Sequence, residues 1–239
     1  MRTAIVTGAA SGIGLATLTK LAAEGYEVHG VDISDRLVGV LDAVDSDFVH
    51  AHIGDVGDPG VWSSIAKFFA NGLDLLVHNA FVLHIAPLHQ QTQEQWGRQL
   101  DVILGAVLHS MTHLHEALGA ARGSVVLVSS VHSRMGLPGY PAYAAAKGAL
   151  NALGRQLAVD YGPQIRVNSV IPGPIRTPVW DSATPEALET TARATALKRL
   201  GAPEEVANVI CFLGSPLASY VDGAEIVVDG GWSITKESS

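Results

Sequence analysis

Tyr143 and Lys147 lie four residues apart in the alanine-rich segment "PAYAAAKGAL" (141–150). On a helix this spacing places both side chains on one face. A tyrosine with a reference pKa of ~10 is a poor base at neutral pH, but a neighbouring ammonium favours the phenolate. The pair could therefore give and take a proton in a reaction. The spacing is common, and a packed aromatic residue beside a solvated lysine is the alternative interpretation.

A second group of residues has the spacing of a phosphate-binding loop. The segment "TGAASGIG" (7–14) follows the first predicted strand and contains Gly8, Gly12 and Gly14. Glycines there allow a tight turn, a close approach to a pyrophosphate and packing of the next helix on the strand. The helix N-terminus offers free N–H groups and the positive end of its dipole to phosphate. The alternative is a glycine turn that binds no ligand.

Asp32 ends the next predicted strand, eighteen residues after Gly14. A carboxylate at that point fits hydrogen bonds to the ribose hydroxyls of an adenosine and repels a 2′-phosphate. No basic residue lies in the glycine loop or directly after Asp32, and Arg36 is expected to be a solvated residue at a helix start. The sequence therefore favours NAD over NADP.

Short β-rich segments alternate with helical ones along the chain. We predict strands at 3–7, 26–32, 47–53, 73–80, 124–130, 165–171 and 224–231, and helices at 12–25, 59–72, 92–120, 141–162, 185–197 and 203–214. Such alternation predicts an α/β fold with a parallel sheet covered on both faces. Ligands bind at the carboxyl ends of such strands. Ser130 lies at one of these ends, where its hydroxyl could hold a substrate oxygen.

The length and composition indicate one globular unit. Together with the glycine loop and the pair Tyr143 and Lys147, they predict a single dinucleotide-binding and catalytic domain over residues 1–239. The chain is 48% hydrophobic and 16% charged, which is ample for a buried core. Its formal net charge of −8 argues against a nucleic-acid partner. We find no signal peptide and no apolar stretch of ~20 residues, so no membrane contact is expected. The single cysteine, Cys211, suits a reducing compartment, and we predict a cytoplasmic protein.

These motifs together resemble a known family. "TGAASGIG", "HNA" (78–80), Ser130 thirteen residues before "YAAAK" (143–147), "RVNSVIPGPIRTP" (166–178) and "VVDGG" (227–231) are similar to the single-domain branch of the short-chain dehydrogenase/reductases. The likeness runs from residue 3 to about 232. It implies a Rossmann-type, doubly wound parallel sheet of about seven strands. It also implies a homotetramer or homodimer, and a substrate lid at about 177–202.

The resemblance also implies a role for each matching residue. Ser130 would orient the substrate oxygen, Tyr143 would move its proton, and Lys147 would lower the tyrosine pKa and bind the nicotinamide ribose. The implied cofactor contacts, besides Tyr143 and Lys147, are Gly8, Ser11, Gly12, Ile13, Gly14, Asp32, Asp55, Val56, Asn79, Ala80, Pro172, Gly173, Ile175 and Thr177.

The chain departs from the family pattern at three places. Where relatives carry an asparagine that holds a proton-relay water, this chain has Ile103, and Asp101 and His109 are weak substitutes. The usual "NNAG" is "HNAF", so Phe81 replaces a glycine and should narrow or reshape the nicotinamide pocket. The third departure is Asp222 in place of a threonine, and its effect is expected to be minor.

The substrate pocket is predicted to have apolar walls with a few polar tips, formed by Phe81, His132, Tyr140 and Trp180. Such walls suit a small or medium ketone, including a ring-shaped one. The leading function is an NAD(H)-dependent oxidoreductase that interconverts a secondary alcohol and a ketone. If His132 contacts a second substrate oxygen, a sugar, polyol or hydroxy-acid dehydrogenase is the alternative. Because Ile103 replaces the usual asparagine, a nucleotide-binding protein with reduced turnover is a further alternative.

No metal site is predicted. His109 and His113 have the i, i+4 spacing that can share a metal ion, but no third ligand accompanies them. A polar helix face or a subunit interface is the preferred interpretation of these histidines.

Overall fold

Seven parallel strands form the centre of the computed structural model, which describes residues 1–235. The last four residues of the predicted domain 1–239 lie outside the described residues. The strands are β1 (Arg2–Thr7), β2 (Tyr26–Asp32), β3 (Val49–Ile53), β4 (Leu75–His78), β5 (Ser124–Val128), β6 (Arg166–Pro172) and β7 (Glu225–Val228). Their spatial order is β3-β2-β1-β4-β5-β6-β7, and every neighbouring pair is parallel. This confirms the predicted Rossmann-type sheet.

Helices cover both faces of this sheet. They are α1 (Gly12–Ala23), α2 (Arg36–Leu41), α3 (Pro59–Ile65), α4 (Gln93–Leu100), α5 (Ala106–Ala121), α6 (Pro141–Tyr161), α7 (Pro185–Ala194) and α8 (Pro203–Gly214). A π-helical turn, Asp101–Gly105, joins α4 to α5. Short 3₁₀ turns occur at Ala66–Phe69, Leu88–Gln90, Val131–Ser133, Pro178–Trp180, Pro216–Ala218 and Trp232–Ile234.

The strands are buried on both faces, so neighbouring residues enter different cores. Ile5 and Leu76 pack in a cluster with residues of α3, α5 and α6. Val6 and Leu75 pack in the opposite cluster, with residues of α1 and α8. Each such aliphatic side chain contributes roughly 1.5–3 kcal/mol when it is removed from water. This two-sided burial explains why the strands are near-continuous hydrophobic segments rather than alternating ones.

Several predicted boundaries differ from the structure. The helix predicted at 92–120 is two helices joined by the π-helical turn, and the helix at 59–72 ends as α3 before a 3₁₀ turn. The six-residue helix α2 was not predicted, because one and a half turns carry too little periodic signal. Strand β4 is four residues long, shorter than the predicted 73–80.

The sheet topology places one crevice for a ligand. From β1 the chain builds outward to β2 and β3, and it then returns to β4 on the other side of β1. The loops after β1 and β4 therefore diverge, and they leave a crevice at the carboxyl ends of these strands. Among the described residues, no helix has the length and apolar character needed to cross a membrane.

Candidate active site

A cavity of about 910 Å³ opens at the carboxyl edge of the sheet. Its volume is at the upper end of the range for small-molecule sites, ~300–1,000 Å³. The predicted cofactor and pocket residues line it, with Gly14 as the exception. Sequence patterns from seven separate segments of the chain thus meet around one space.

The glycine loop owes its shape to close packing. Gly8 has φ +65°, and a Cβ there would lie 2.8 Å from the Asn79 side-chain nitrogen. A Cβ on Gly14 would lie 2.0 Å from the Gly8 carbonyl oxygen, so α1 can approach the loop only because residue 14 is glycine. Gly14 therefore brings the N-terminus of α1 to the cavity without lining it, which is a packing role rather than a contact with ligand.

Asp32 presents its carboxylate at the end of β2, where it lines the cavity. The backbone N–H of Ala10 donates to one carboxylate oxygen at 2.9 Å, and that of Ser34 donates to the other at 2.9 Å. Charge-assisted bonds of this kind hold the group in one orientation. Arg36 is exposed at the start of α2, as expected. The Asp32 carboxylate thus presents a fixed negative charge to the cavity.

The part of the cavity that Asp55 and Val56 line contains an ion pair that was not predicted. Asp55 accepts from the backbone N–H of Gly57 at 2.9 Å and pairs with Arg98 at 2.7 Å. Arg98 also lines the cavity. It lies on α4, 43 residues further along the chain, and no local sequence signal connects it to Asp55. The neighbouring Val56 is held by its carbonyl, which accepts from the Trp62 indole at 2.8 Å.

Asn79 joins the glycine loop to β4. Its side-chain nitrogen donates to the carbonyls of Thr7 at 2.9 Å and Gly8 at 3.2 Å, and its backbone N–H donates to the Thr7 hydroxyl. Asn79 lines the cavity. Both amide hydrogens are engaged by the loop, so its side chain positions the loop and can offer a ligand only its oxygen.

The candidate reaction centre lies where the residues after β5 meet α6. Ser129 donates its hydroxyl to the Lys147 carbonyl at 2.8 Å, which ties the end of the strand to the helix. Ser130 then points its hydroxyl into the cavity, where the oxygen accepts from the His132 backbone N–H at 3.2 Å. The Lys147 ammonium nitrogen donates to the Val128 carbonyl at 2.6 Å. Ser130, Tyr143 and Lys147 all line the cavity.

Burial shifts the two titratable groups of this centre in opposite directions. It raises the pKa of Tyr143 to about 12, while the hydrogen-bonding interaction with the Ser130 side chain acts to lower it. Burial also lowers the pKa of Lys147 to about 7. The lysine nitrogen lies 5.6 Å from the tyrosine ring centroid. Both shifts favour neutral groups, so the lysine loses its charge far more readily than a solvated one.

Ile103 lies in the π-helical turn and is 2% exposed. It belongs to the core cluster against which Tyr143 packs. Its aliphatic side chain can hold no water, and within residues 1–235 the hydrogen bond of Lys147 goes to Val128 rather than to Asp101 or His109. The proton path expected of the family is therefore absent at this position.

His78 and Phe81 occupy the two altered positions of "HNAF". His78 is buried and its Nε2 lies 2.9 Å from the Ser110 hydroxyl. Burial, followed by the nearby Lys147 charge, lowers the pKa of His78 to about 3. Phe81 lines the cavity with its ring edge-on to Tyr143, 5.9 Å between centroids. Phe81 thus adds an apolar wall beside the reaction centre.

His132 lies on the same wall. Its ring is 4.6 Å from that of Tyr140 and 5.6 Å from that of Tyr143. The His132 Nδ1 atom is buried and has no hydrogen-bond partner among the described residues. His132 itself lines the cavity, and a buried polar atom without a partner calls for an explanation, so this side chain is a candidate contact for a ligand.

The segment after β6 covers the outer side of the cavity. Thr177 and Trp180 line it, and so do Thr190, Thr191 and Ala194 of α7, which were not predicted. Periodicity predicted the helix, but which of its faces turns inward depends on tertiary packing. This segment corresponds to the predicted lid at 177–202.

Comparisons with known proteins agree with this architecture. A family model described as enoyl-(acyl carrier protein) reductase matches residues 8–233. A cyclopentanol dehydrogenase of Comamonas sp. is 35% identical over 240 residues, covering 96% of each chain. A 3-alpha-(or 20-beta)-hydroxysteroid dehydrogenase of Mycobacterium bovis is 34% identical over 236 residues, covering 96% of this chain and 88% of that protein.

A solved structure from Brucella melitensis, described as a short-chain dehydrogenase/reductase of the glucose/ribitol dehydrogenase kind, superposes with a TM-score of 0.92. The two chains are 30% identical, and the match covers 97% of this chain and 96% of that one. Sequence relatives and fold agree over nearly the whole length. The chain therefore belongs to the short-chain dehydrogenase/reductases, a family of oxidoreductases that use a nicotinamide cofactor.

Proposed function

We propose that the protein is an NAD(H)-dependent oxidoreductase that interconverts a ring-borne secondary alcohol and its ketone. The observation that carries the proposal is the meeting of Ser130, Tyr143 and Lys147 on one wall of the cavity, with Asp32 on the same cavity at the end of β2. The cofactor, when bound, supplies the site that accepts a hydride from the carbinol carbon or returns it.

Residues of the chain bind the substrate oxygen and transfer its proton. In the oxidation direction the Tyr143 phenolate takes the hydroxyl proton while the carbon–hydrogen bond breaks and the carbonyl forms. The Ser130 hydroxyl holds the same oxygen. Positive charge near Tyr143 would lower the pKa that burial has raised, and a protonated Lys147, whose nitrogen lies 5.6 Å from the tyrosine ring centroid, would supply such charge. Reduction runs the same steps backwards.

Asp32 supports NAD over NADP. A 2′-phosphate would meet the Asp32 carboxylate, which is already held by two backbone N–H groups and cannot swing away without losing them. The ribose hydroxyls of NAD can instead donate to it. We therefore assign the cofactor preference to this one side chain.

Apolar walls support a cyclic substrate. Phe81, Tyr140 and Trp180 line the cavity, and we assign to the segment 177–202 the role of a lid that closes over it and excludes water. The Comamonas relative is named for cyclopentanol, which is a ring-borne secondary alcohol. The unpartnered Nδ1 of His132 favours the alternative, a sugar, polyol or hydroxy-acid dehydrogenase, because it could bind a second substrate oxygen.

A substrate panel tests the proposal. The chain is assayed with NAD⁺ and with NADP⁺ on cyclopentanol and cyclohexanol, on glucose and ribitol, and on a hydroxy acid. We expect the highest kcat/KM with NAD⁺ and a cyclic alcohol. Highest activity on the polyols or the hydroxy acid would instead support the role of His132. Cofactor binding without turnover on any of them would make the protein a nucleotide-binding one, as Ile103 allows.

We further propose a homotetramer in the cytoplasm, with a homodimer as the alternative assembly. In this family the subunits commonly pack through two long helices, and we assign that role to α5 and α6. Leu108 on α5 and Val159 on α6 are 66% and 79% exposed. Large exposed apolar side chains on such helices suit burial against a second copy. Light scattering after gel filtration measures the mass. A monomeric mass would contradict the assembly.

A further inference from the structure

A cluster of imidazoles lies at the edge of the sheet, away from the reaction centre. Glu27 and His29 on β2, and His50 and His52 on β3, alternate along their strands and so share one sheet face. The strand register pairs His29 with His50 and Val31 with His52. The four side chains therefore meet, and His29 contacts His52 although 23 residues separate the two in the sequence.

The distances in this cluster match those between ligands of a small metal ion. Glu27 Oε1 lies 3.1 Å from His50 Nε2 and 3.7 Å from His29 Nε2, and the three ligand atoms all lie within 4.8 Å of one another. In a tetrahedral zinc site with bonds of roughly 2.0–2.2 Å, ligand atoms stand about 3.3 Å apart. Small side-chain movements would thus bring all three atoms onto one ion.

His52 holds His29 in the orientation that such a site needs. Its Nε2 lies 2.8 Å from His29 Nδ1, so the bond occupies one ring nitrogen and leaves His29 Nε2 facing Glu27. Ligating histidines commonly have their second nitrogen fixed in this way. The ring of Phe69 packs edge-on against His29 at 4.7 Å between centroids.

We propose that Glu27, His29 and His50 bind one divalent metal ion, with Zn²⁺ as the best match, and that His52 positions His29. Two imidazoles and one carboxylate form a ligand set that zinc accepts, with a fourth position left for water. The ion would bridge β2 to β3, which is the edge strand of the sheet. The site lies apart from β5 and α6, so substrate turnover does not depend on it.

Metal titration of a tag-free, chelator-treated chain tests the site. We expect one Zn²⁺ per chain by calorimetry, Co²⁺ absorption bands typical of tetrahedral coordination, and a higher Tm with zinc. His50→Ala should weaken zinc binding at least ~tenfold and remove the Tm shift. The His50 side chain is 42% exposed, so this variant should fold, which circular dichroism checks. Glu27→Gln provides a second variant with the same expectation.

The control is His113→Ala, which removes an exposed histidine four residues after the half-buried His109 on α5. It should bind zinc as the unaltered chain does. The proposal is overturned if the chain binds no stoichiometric zinc, if His50→Ala and Glu27→Gln bind as tightly as the unaltered chain, or if His113→Ala loses the ion. Dehydrogenase activity of His50→Ala should match that of the unaltered chain.

Discussion

Replacing Lys147 by methionine is expected to stabilise the folded chain at acidic and neutral pH. The lysine is 2% exposed, and burial lowers its pKa from the ordinary 10.5 to about 7. At about 1.4 kcal/mol for each tenfold change in proton affinity, this fall corresponds to at most about 5 kcal/mol. Methionine has a similar length and carries no charge, but it leaves the Val128 carbonyl without its donor. That loss costs about 1–3 kcal/mol.

The sign of the effect depends on pH. Below about pH 7 the lysine is protonated in both folded and unfolded chains, so the full penalty of a buried charge opposes folding. Between about 7 and 10.5 only the unfolded chain keeps the proton, and folding stability rises with pH. The methionine variant should therefore be more stable by about 2–4 kcal/mol near pH 6, and this advantage should vanish or reverse near pH 10.

Urea unfolding of the cofactor-free chain, followed by tryptophan fluorescence at a fixed protein concentration, measures the difference. Lys67→Met is the matched control, because Lys67 is exposed and its replacement should change stability by less than about 0.5 kcal/mol. A Lys147→Met variant that is equally destabilised at all pH values would refute the reasoning. Burial would then not oppose protonation of the lysine in the folded chain.

Three further outcomes are expected. Asp32→Asn should lower the ratio of kcat/KM for NAD⁺ to kcat/KM for NADP⁺ at least ~tenfold, which corresponds to about 1.4 kcal/mol. An unchanged ratio would contradict the assignment of cofactor preference to Asp32. Ile103→Asn should raise kcat while it lowers stability by about 1–3 kcal/mol; Ile103→Val is its control, and an unchanged kcat would mean that Lys147 exchanges protons elsewhere. His132→Phe should raise KM at least ~tenfold for substrates with a second oxygen and leave KM for cyclopentanol unchanged. Equal changes in KM for the two kinds of substrate would mean that His132 packs in the wall and binds no substrate oxygen.

The parts of the site that sequence alone predicted are those set by local spacing. The glycines of residues 7–14 and the pair Tyr143 and Lys147 depend on one turn and one helix face, so their positions follow from a few residues on either side. Asp32 is predictable for a similar reason, since it ends a strand that pairs directly with β1. In each case a short segment determines the geometry.

The parts that sequence did not predict depend on how distant segments align. His29 and His50 meet only because β2 and β3 pair in one register, and a shift of one residue would turn one of them to the other face. The ion pair of Asp55 with Arg98 depends on where the C-terminal half of α4 docks. The unpartnered Nδ1 of His132 likewise depends on the ring orientation that its aromatic neighbours impose.

Comparison of two tyrosine variants tests the central claim most directly. Tyr143→Phe removes the hydroxyl that is proposed to move the proton, whereas Tyr161→Phe removes a hydroxyl at the far end of the same helix. With NAD⁺ and a cyclic alcohol, Tyr143→Phe should lower kcat at least ~100-fold with cofactor affinity retained, and Tyr161→Phe should leave it unchanged. Turnover by Tyr143→Phe at the unaltered rate would contradict the account.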